Sequence, residues 1–353
     1  VKRPTVRRKG AGPVARRRLM TVFGALTTLG GALVLLLAFA LLAYFGPGPG
    51  AQQGGSTDVV LRAGAGVPEI AATLRTAGVI GSDVFFVVAA KLTGAGRSLK
   101  AGEYDVPSHA SLSDILTAIR EGRVVRRFVT VPEGATSQMV MDILMKADFL
   151  AGVAPAPPEG AVLPETYEVQ RGDDRAAILE RMMEARDRLL ASLWIHRRAD
   201  LPYRTPDEAV ILASIVEKET AKPDERPRIA AVFLNRLKAG MPLGADPTVI
   251  YGLTAGKPLG HGLTRSELES DTPYNTYKVA GLPPTPIANP GRASLAAALD
   301  PPQTNEFYFV ADGTGGHVFA STKDAHDLNV KKWRALEATH NCAAVASNRA
   351  TSC

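Results

Sequence analysis

Between Arg18 and Asp58 the chain carries no charged side chain, and within that stretch residues 21–45 are apolar almost without interruption. As a helix those residues would be about 37 Å long, more than the ~30 Å hydrocarbon core of a bilayer. A cleaved signal peptide has a shorter apolar region followed by a small-residue cleavage site. The segment therefore reads as a retained membrane helix over residues 19–45. Ahead of it, residues 1–18 hold eight cations (Lys2, Arg3, Arg7, Arg8, Lys9, Arg16, Arg17 and Arg18) and no acid. The positive-inside rule keeps that tail in the cytoplasm and sends everything after Phe45 to the far side of the membrane.

The tail also accounts for the charge. The chain has 41 Lys and Arg against 35 Asp and Glu; without the eight cations of the tail, 33 basic residues face 35 acidic ones, a net of −2. A basic domain gripping nucleic-acid phosphates is thereby excluded. Cys342 and Cys353, the only cysteines, lie in a polar end segment on an oxidising side, where they can pair, and have no catalytic role. The six histidines lack the i, i+4 spacing of a zinc site, and no nucleotide-binding loop or nucleophile elbow is present, so no metal and no cofactor is expected.

The exported part divides by composition. Residues 46–58, opening Gly46-Pro47-Gly48-Pro49-Gly50, read as a flexible linker. A small α+β module follows over residues 59–127. It begins with a strand at Val59-Val60-Leu61, a turn at Gly64 and a helix over residues 67–77 that places Ile70, Ala71 and Leu74 on one face. A helix over residues 82–93, a strand over 101–106 and a helix over 111–121 starting at Ser111 complete it. The first unit has a weak echo near residues 128–144, where Gly134 takes the place of Gly64, and Val140, Met141 and Leu144 match the three buried positions. Modules of this kind resemble the LysM-like modules that bind cell-wall glycans; a plain spacer is the other reading. Residues 154–160, rich in proline, read as a surface loop.

The chemistry concentrates after residue 205. Thr205-Pro206-Asp207-Glu208 is a capping box with proline at the first helical position. The next eight residues, 209–216, are apolar nearly all round, and Glu217, Lys218 and Glu219 close the helix. A carboxyl one turn beyond such a run leans back over apolar neighbours, and desolvation raises its pKa, as a general acid at neutral pH requires. Either Glu217 or Glu219 qualifies; both can equally be ordinary last-turn acids paired with Lys218 and Arg226.

Further motifs follow in fixed order: Val232-Phe233-Leu234-Asn235-Arg236-Leu237, Asp246-Pro247-Thr248-Val249-Ile250-Tyr251-Gly252, Tyr274-Asn275-Thr276-Tyr277, Gly281-Leu282-Pro283-Pro284, Pro286-Ile287-Ala288-Asn289-Pro290-Gly291 and Phe307-Tyr308-Phe309-Val310. Together with Ile215-Val216-Glu217-Lys218-Glu219-Thr220 they resemble the endolytic murein transglycosylase family, also called YceG-like. The likeness runs over roughly residues 59–333.

The resemblance implies a bacterial enzyme of the cytoplasmic membrane, single-pass, that cuts within peptidoglycan glycan strands at the MurNAc–GlcNAc β-1,4 bond. It would leave 1,6-anhydro-MurNAc ends and terminate strand elongation, with glycan strands as substrate and peptidoglycan synthases as neighbours. A non-catalytic glycan-binding scaffold and a hydrolytic muramidase are the alternatives. The fold expected is α+β: one transmembrane helix, a LysM-like module, a mixed catalytic domain over residues 128–337, and a disordered tail over 338–353. The family's catalytic glutamate falls on Glu217.

Substrate contacts are expected from Asn235, Asp246, Thr248, Tyr251, Tyr274, Asn275, Tyr277 and Asn289, each with a duller alternative. Asn235 can hold a loop, Asp246 and Thr248 can cap a helix, and the proline loop with Asn289 can be structural only. His317 and His326 are expected to be structural or solvated.

Overall fold

The computed structural model describes residues 13–350 except Gln53, with side chains over residues 23–338; the basic tail before residue 13 and Cys353 lie outside it. The fold is mixed α+β, and the chain divides after Arg126 into two compact units.

The first unit starts with helix α1 (Pro13–Phe45). Its segment Phe23–Phe45 is long and apolar enough to cross a membrane, and none of it is buried in the protein. After it come β1 (Ser56–Leu61), α2 (Val67–Thr76), α3 (Asp83–Leu92), a short 3-10 turn, β2 (Gly102–Pro107) and α4 (Leu112–Glu121). The expected cap is in place, the Ser111 hydroxyl accepting from Asp114 N–H, and the Ser82 hydroxyl likewise accepts from Phe85 N–H. β1 and β2 pair antiparallel, with Val59 opposite Tyr104. Ile70, Ala71 and Leu74 pack beneath them with Phe86, Ile115 and Ile119.

The glycine- and proline-rich segment after Phe45 is not the free tether its composition suggests. Gly48 N–H donates to His109 O (3.2 Å), His109 N–H to Pro49 O (3.1 Å) and Ala51 N–H to the Ser108 hydroxyl (3.0 Å). Without apolar side chains to bury, the segment is held by its backbone, and its two prolines reduce the entropy lost in ordering it. β1 then begins at Ser56, within the expected linker.

The second unit has two cores. In one, β3 (Arg127–Thr130) pairs antiparallel with β4 (Thr166–Val169) over α5 (Ser137–Lys146) and the first half of α6 (Arg175–Ile195). Strand β3, left-handed Gly134 and buried Val140 and Leu144 reproduce β1, left-handed Gly64, Ile70 and Leu74, as the weak repeat implies. The larger core is built around α7 (Pro206–Glu219). α8 (Arg226–Lys238), α9 (Asp246–Thr254) and α11 (Arg292–Leu299) pack on it. A one-turn helix, α10 (Arg265–Leu268), lies between α9 and α11 in sequence. Hairpin β5–β6 (Tyr308–Ala311, His317–Ala320) precedes α12 (Lys323–Ala350), whose backbone stays helical through residues 338–350, where a tail is expected. Alanines and few chain breakers fill that stretch, so helix propensity accounts for the difference.

Residues 154–160 are also more than a surface loop, since Pro157 and Gly160 are buried. Gly160 has φ +77°, and a Cβ there would come within 2.6 Å of Pro286 and 3.1 Å of Val210. Gly172 has a similar φ of +90° with open space around it. Gly172→Ala should therefore cost only the left-handed strain, about 1 kcal/mol. Gly160→Ala should cost clearly more, about 2–4 kcal/mol, because the proline wall must move. Thermal unfolding of the two variants checks the contrast.

Candidate active site

Helix α7 is set by its two ends. At the start, the Thr205 hydroxyl accepts from Glu208 N–H, and the Glu208 carboxylate accepts from Thr205 N–H, closing the capping box. Ala209, Leu212, Ala213, Ile215 and Val216 are wholly enclosed. At the end, Thr220 turns the backbone extended. Successive helical residues project about 100° apart, so Glu217 and Glu219 point some 200° apart, to opposite sides of the helix.

Glu217 is a brace. Its Oε1 lies 3.0 Å from Arg226 Nη2 and its Oε2 accepts from Gly291 N–H at 2.8 Å, with the carboxylate side chain only 3% exposed. The same guanidinium nitrogen reaches Glu133 at 3.1 Å. Glu217 thus ties together the start of α8, the turn before α5 and the residue that opens α11. Both of its oxygens are engaged, which leaves neither aimed at a ligand. The sequence places the catalytic glutamate here; in the structure both of its oxygens are taken up by Arg226 and Gly291.

Glu219 has the opposite surroundings. Its Oε2 is enclosed and has no hydrogen-bond partner among the described residues. The side chain lines a cleft of about 540 Å³ with Arg236, Asp246, Tyr277, Tyr308, Lys323 and His326. Burial pushes its carboxyl up to about 8; the Asp246 charge adds to the rise and the Arg236 guanidinium opposes it. An acid of this strength is protonated at neutral pH. It stands in a cleft with an oxygen to spare, the arrangement a proton donor needs.

The expected substrate contacts separate into two groups. Asp246 and Tyr277 do line the cleft, joined by a Tyr277 hydroxyl bond to Asp246 Oδ1 at 2.7 Å. Burial and that carboxylate both push the phenol up. Asp246 is the first residue of α9 and not its cap: Ala245 holds that position, and no side chain caps the helix.

The remaining polar residues hold backbone. Asn235 donates to Thr304 O (3.0 Å) and Glu306 O (2.9 Å). Thr248, fully enclosed, donates to Ala245 O (2.7 Å) and meets the Thr276 hydroxyl (2.8 Å). Asn275 donates to Leu268 O and Ser270 O (2.9 and 2.8 Å), while Asn289 accepts from Val162 N–H and donates to Ala135 O (both 2.9 Å). With their amides saturated and both side chains buried, Asn275 and Asn289 have nothing left to offer an acetamido group.

Tyr251 and Tyr274 meet edge to face at 5.0 Å, away from the cleft lining. The Tyr251 hydroxyl donates to Glu159 at 3.1 Å and Tyr274 shares a 2.8 Å bond with Thr285. Burial raises the Glu159 carboxyl too. Ser137 N–H and the Tyr251 hydroxyl occupy one oxygen each, however, so it lacks the free oxygen of Glu219.

Sequence reasoning missed Arg236, Tyr308, Lys323 and His326. Arg236 stands in the same motif as Asn235, and Tyr308 in the aromatic strand motif. His326, expected to be structural or solvated, stacks on Tyr308 at 5.1 Å and keeps a buried Nδ1 without a partner among the described residues. Burial, then Lys323, lowers its pKa. His317 is structural as expected, bonded to Glu225 at 2.7 Å.

The site is thus a buried acid at a polar cleft, on a helix enclosed by α8, α9 and α11. Comparison with known proteins gives the family. Residues 59–332 match the model of the YceG-like family. A Bacillus subtilis protein named endolytic murein transglycosylase is 31% identical over 312 residues, covering 79% of this chain and 85% of the relative. One of the same name from Streptococcus pneumoniae is 29% identical over 316 residues, covering 76% of this chain but 56% of the relative. The chain thus spans about half the length of its pneumococcal relatives. A crystal structure of a yceG-like protein from Listeria monocytogenes aligns with a TM-score of 0.49 at 28% identity, covering 77% of this chain and 98% of that one. The chain belongs to the YceG-like family.

The two glutamates should separate in stability measurements. Glu217→Gln leaves a buried guanidinium short of one partner and should cost about 2–3 kcal/mol. For Glu219 the folded pKa lies above the unfolded one. The wild-type fold therefore binds the extra proton and loses stability as pH rises from about 4.5 toward 8. Glu219→Gln removes that loss: its melting temperature should match wild type near pH 4 and exceed it at pH 8. Thermal unfolding across a buffer series reads both.

Proposed function

We propose that the chain is a membrane-anchored lytic transglycosylase that cuts within peptidoglycan glycan strands, with Glu219 as its one acid catalyst. The observation that carries this reading is the Glu219 carboxyl, held protonated by burial on a side chain that lines the cleft, with its enclosed Oε2 unpartnered among the described residues. The names of the relatives in Bacillus subtilis and Streptococcus pneumoniae support the substrate class.

In this mechanism Glu219 gives its proton to the glycosidic oxygen between MurNAc and GlcNAc as the C1–O bond breaks. The resulting carboxylate then takes the proton of the sugar's C6 hydroxyl while that oxygen closes on C1, leaving a 1,6-anhydro end and restoring the acid. The nucleophile is the substrate's own, so no water enters and the second carboxylate of an ordinary glycosidase is not required. Asp246, held by Tyr277, supplies negative charge beside the cleft, which keeps Glu219 protonated and favours positive charge developing at C1.

Asp246 also motivates a second reading. As a base activating water it would make the protein a hydrolytic muramidase, which yields reducing ends. The strand-helix-helix-strand order of the first unit supports a LysM-like glycan-holding role. α1 with the cationic tail before it supports placement in the cytoplasmic membrane, with the N-terminus inside and the cleft outside. There the enzyme would meet strands as synthases extend them and end their elongation.

The full chain in detergent, incubated with uncrosslinked glycan, should release anhydro-ended fragments detectable by mass spectrometry. Reducing ends would favour the muramidase, and intact strands a binding scaffold. Glu219→Gln should lower the rate by at least about a hundredfold, while Glu217→Gln should keep activity at temperatures where it is folded. The wild-type rate should fall as pH rises through about 8, because the working form is the protonated one. A rate flat from pH 6 to 9 with chemistry limiting would overturn the assignment.

A further inference from the structure

We infer that the first unit does not hang from the membrane but is seated in it, with the outer face of α3 among lipid acyl chains and headgroups. The inference rests on α1 crossing the bilayer. α3 has the sequence Asp-Val-Phe-Phe-Val-Val-Ala-Ala-Lys-Leu. Its inner face, Phe86, Ala89 and Ala90, is buried in the core of the unit. On the other side Val84 (69% exposed), Val88 (45%) and Leu92 (83%) follow at intervals of four, one apolar stripe open to the surroundings. Three large apolar side chains in one line on a small module form a patch that asks for an occupant.

The position of α1 says what that occupant is. Phe39 and Ala43 of α1 form one wall of an apolar groove of about 430 Å³; Val84, Phe85, Val88 and Leu112 are among the residues of the opposite wall. Phe39 lies six residues before the end of the span, about 9 Å along the helix axis, and Ala43 about 3 Å. The groove therefore reaches down to a level that hydrocarbon surrounds once α1 is in a bilayer. Nor is the groove's geometry left to a loose hinge. α1 packs on α4, Tyr44 packs against the core of the unit, and the backbone bonds between Gly48, Pro49 and His109 pin the helix exit to the module. The lipid-facing surface of α1, with Phe39 and Leu42 about 70% exposed, is thus continuous with the α3 stripe. Amphipathic helices at such a depth lie in the interfacial plane with their apolar face 5–10 Å into the boundary.

Depth measurements on the full chain test this. Cys342→Ser and Cys353→Ser remove the native thiols, and single Val84→Cys, Val88→Cys, Leu33→Cys and Arg62→Cys variants are spin-labelled in vesicles of phosphatidylcholine and phosphatidylglycerol. Leu33 reports the middle of the span, and Arg62, 80% exposed on the module, reports water. Collision with oxygen relative to a water-soluble nickel chelate should be several-fold higher at positions 84 and 88 than at 62, and highest at 33. Water-like ratios at 84 and 88 with a lipid-like ratio at 33 would overturn the seat while leaving the anchor standing. A water-like ratio at 33 would overturn both. Low collision with both reagents, together with spin–spin broadening between copies, would assign the groove to a second copy of the chain and overturn the lipid.

Discussion

The enclosure of α7 by apolar neighbours is the constraint on which the second unit depends. A helix buried on nearly every face can place charge only where the enclosure ends, and here it ends at Glu217, Lys218 and Glu219. Helical geometry then sends the two carboxylates to opposite sides. One meets a guanidinium and a backbone N–H and becomes a joint between α7, α8 and α11. The other meets an enclosure with no donor for one of its oxygens and is left protonated. A buried charge is tolerable only when paired, and a buried acid stays neutral when it is not. The two outcomes of that rule occur two residues apart.

Much of this was legible in the sequence. The long apolar helix α1, the Ser111 cap, the capping box before α7, the β5–β6 hairpin and the Gly64/Gly134 echo follow from local chemistry, which the chain spells out residue by residue. The choice between Glu217 and Glu219 did not, because both sit one turn beyond the same apolar run. What separates them is Arg226 and Gly291, brought in from other elements. Pairing with Arg226, the duller expectation, holds for Glu217 alone.

The polar motifs leave two roles open in the sequence for a related reason. Asn275, Asn289 and Thr248 have the chemistry of sugar contacts, yet equally that of groups that satisfy backbone in irregular chain. Long connections without strands or helices, such as residues 270–290, leave many N–H and C=O groups without ladder partners. Buried amides with two donors and two acceptor sites are suited to fill that need. Arg236 belongs to both categories: it donates to Phe307 O at 2.6 Å and to Leu243 O, and its guanidinium is also a wall of the cleft.

That double use has a consequence for how the acid can be tuned. Arg236 is committed to the backbone on two sides, so its charge is fixed in place with the fold. Asp246, the opposing influence on Glu219, is exposed at the start of α9. A charge facing water is screened by mobile ions, with a Debye length of about 10 Å at 0.1 M salt, whereas a half-buried guanidinium is screened less. The strength of the acid is thereby linked to the electrolyte around the cleft: in dilute solution Asp246 is felt fully and the proton is held tightly, and added salt loosens it.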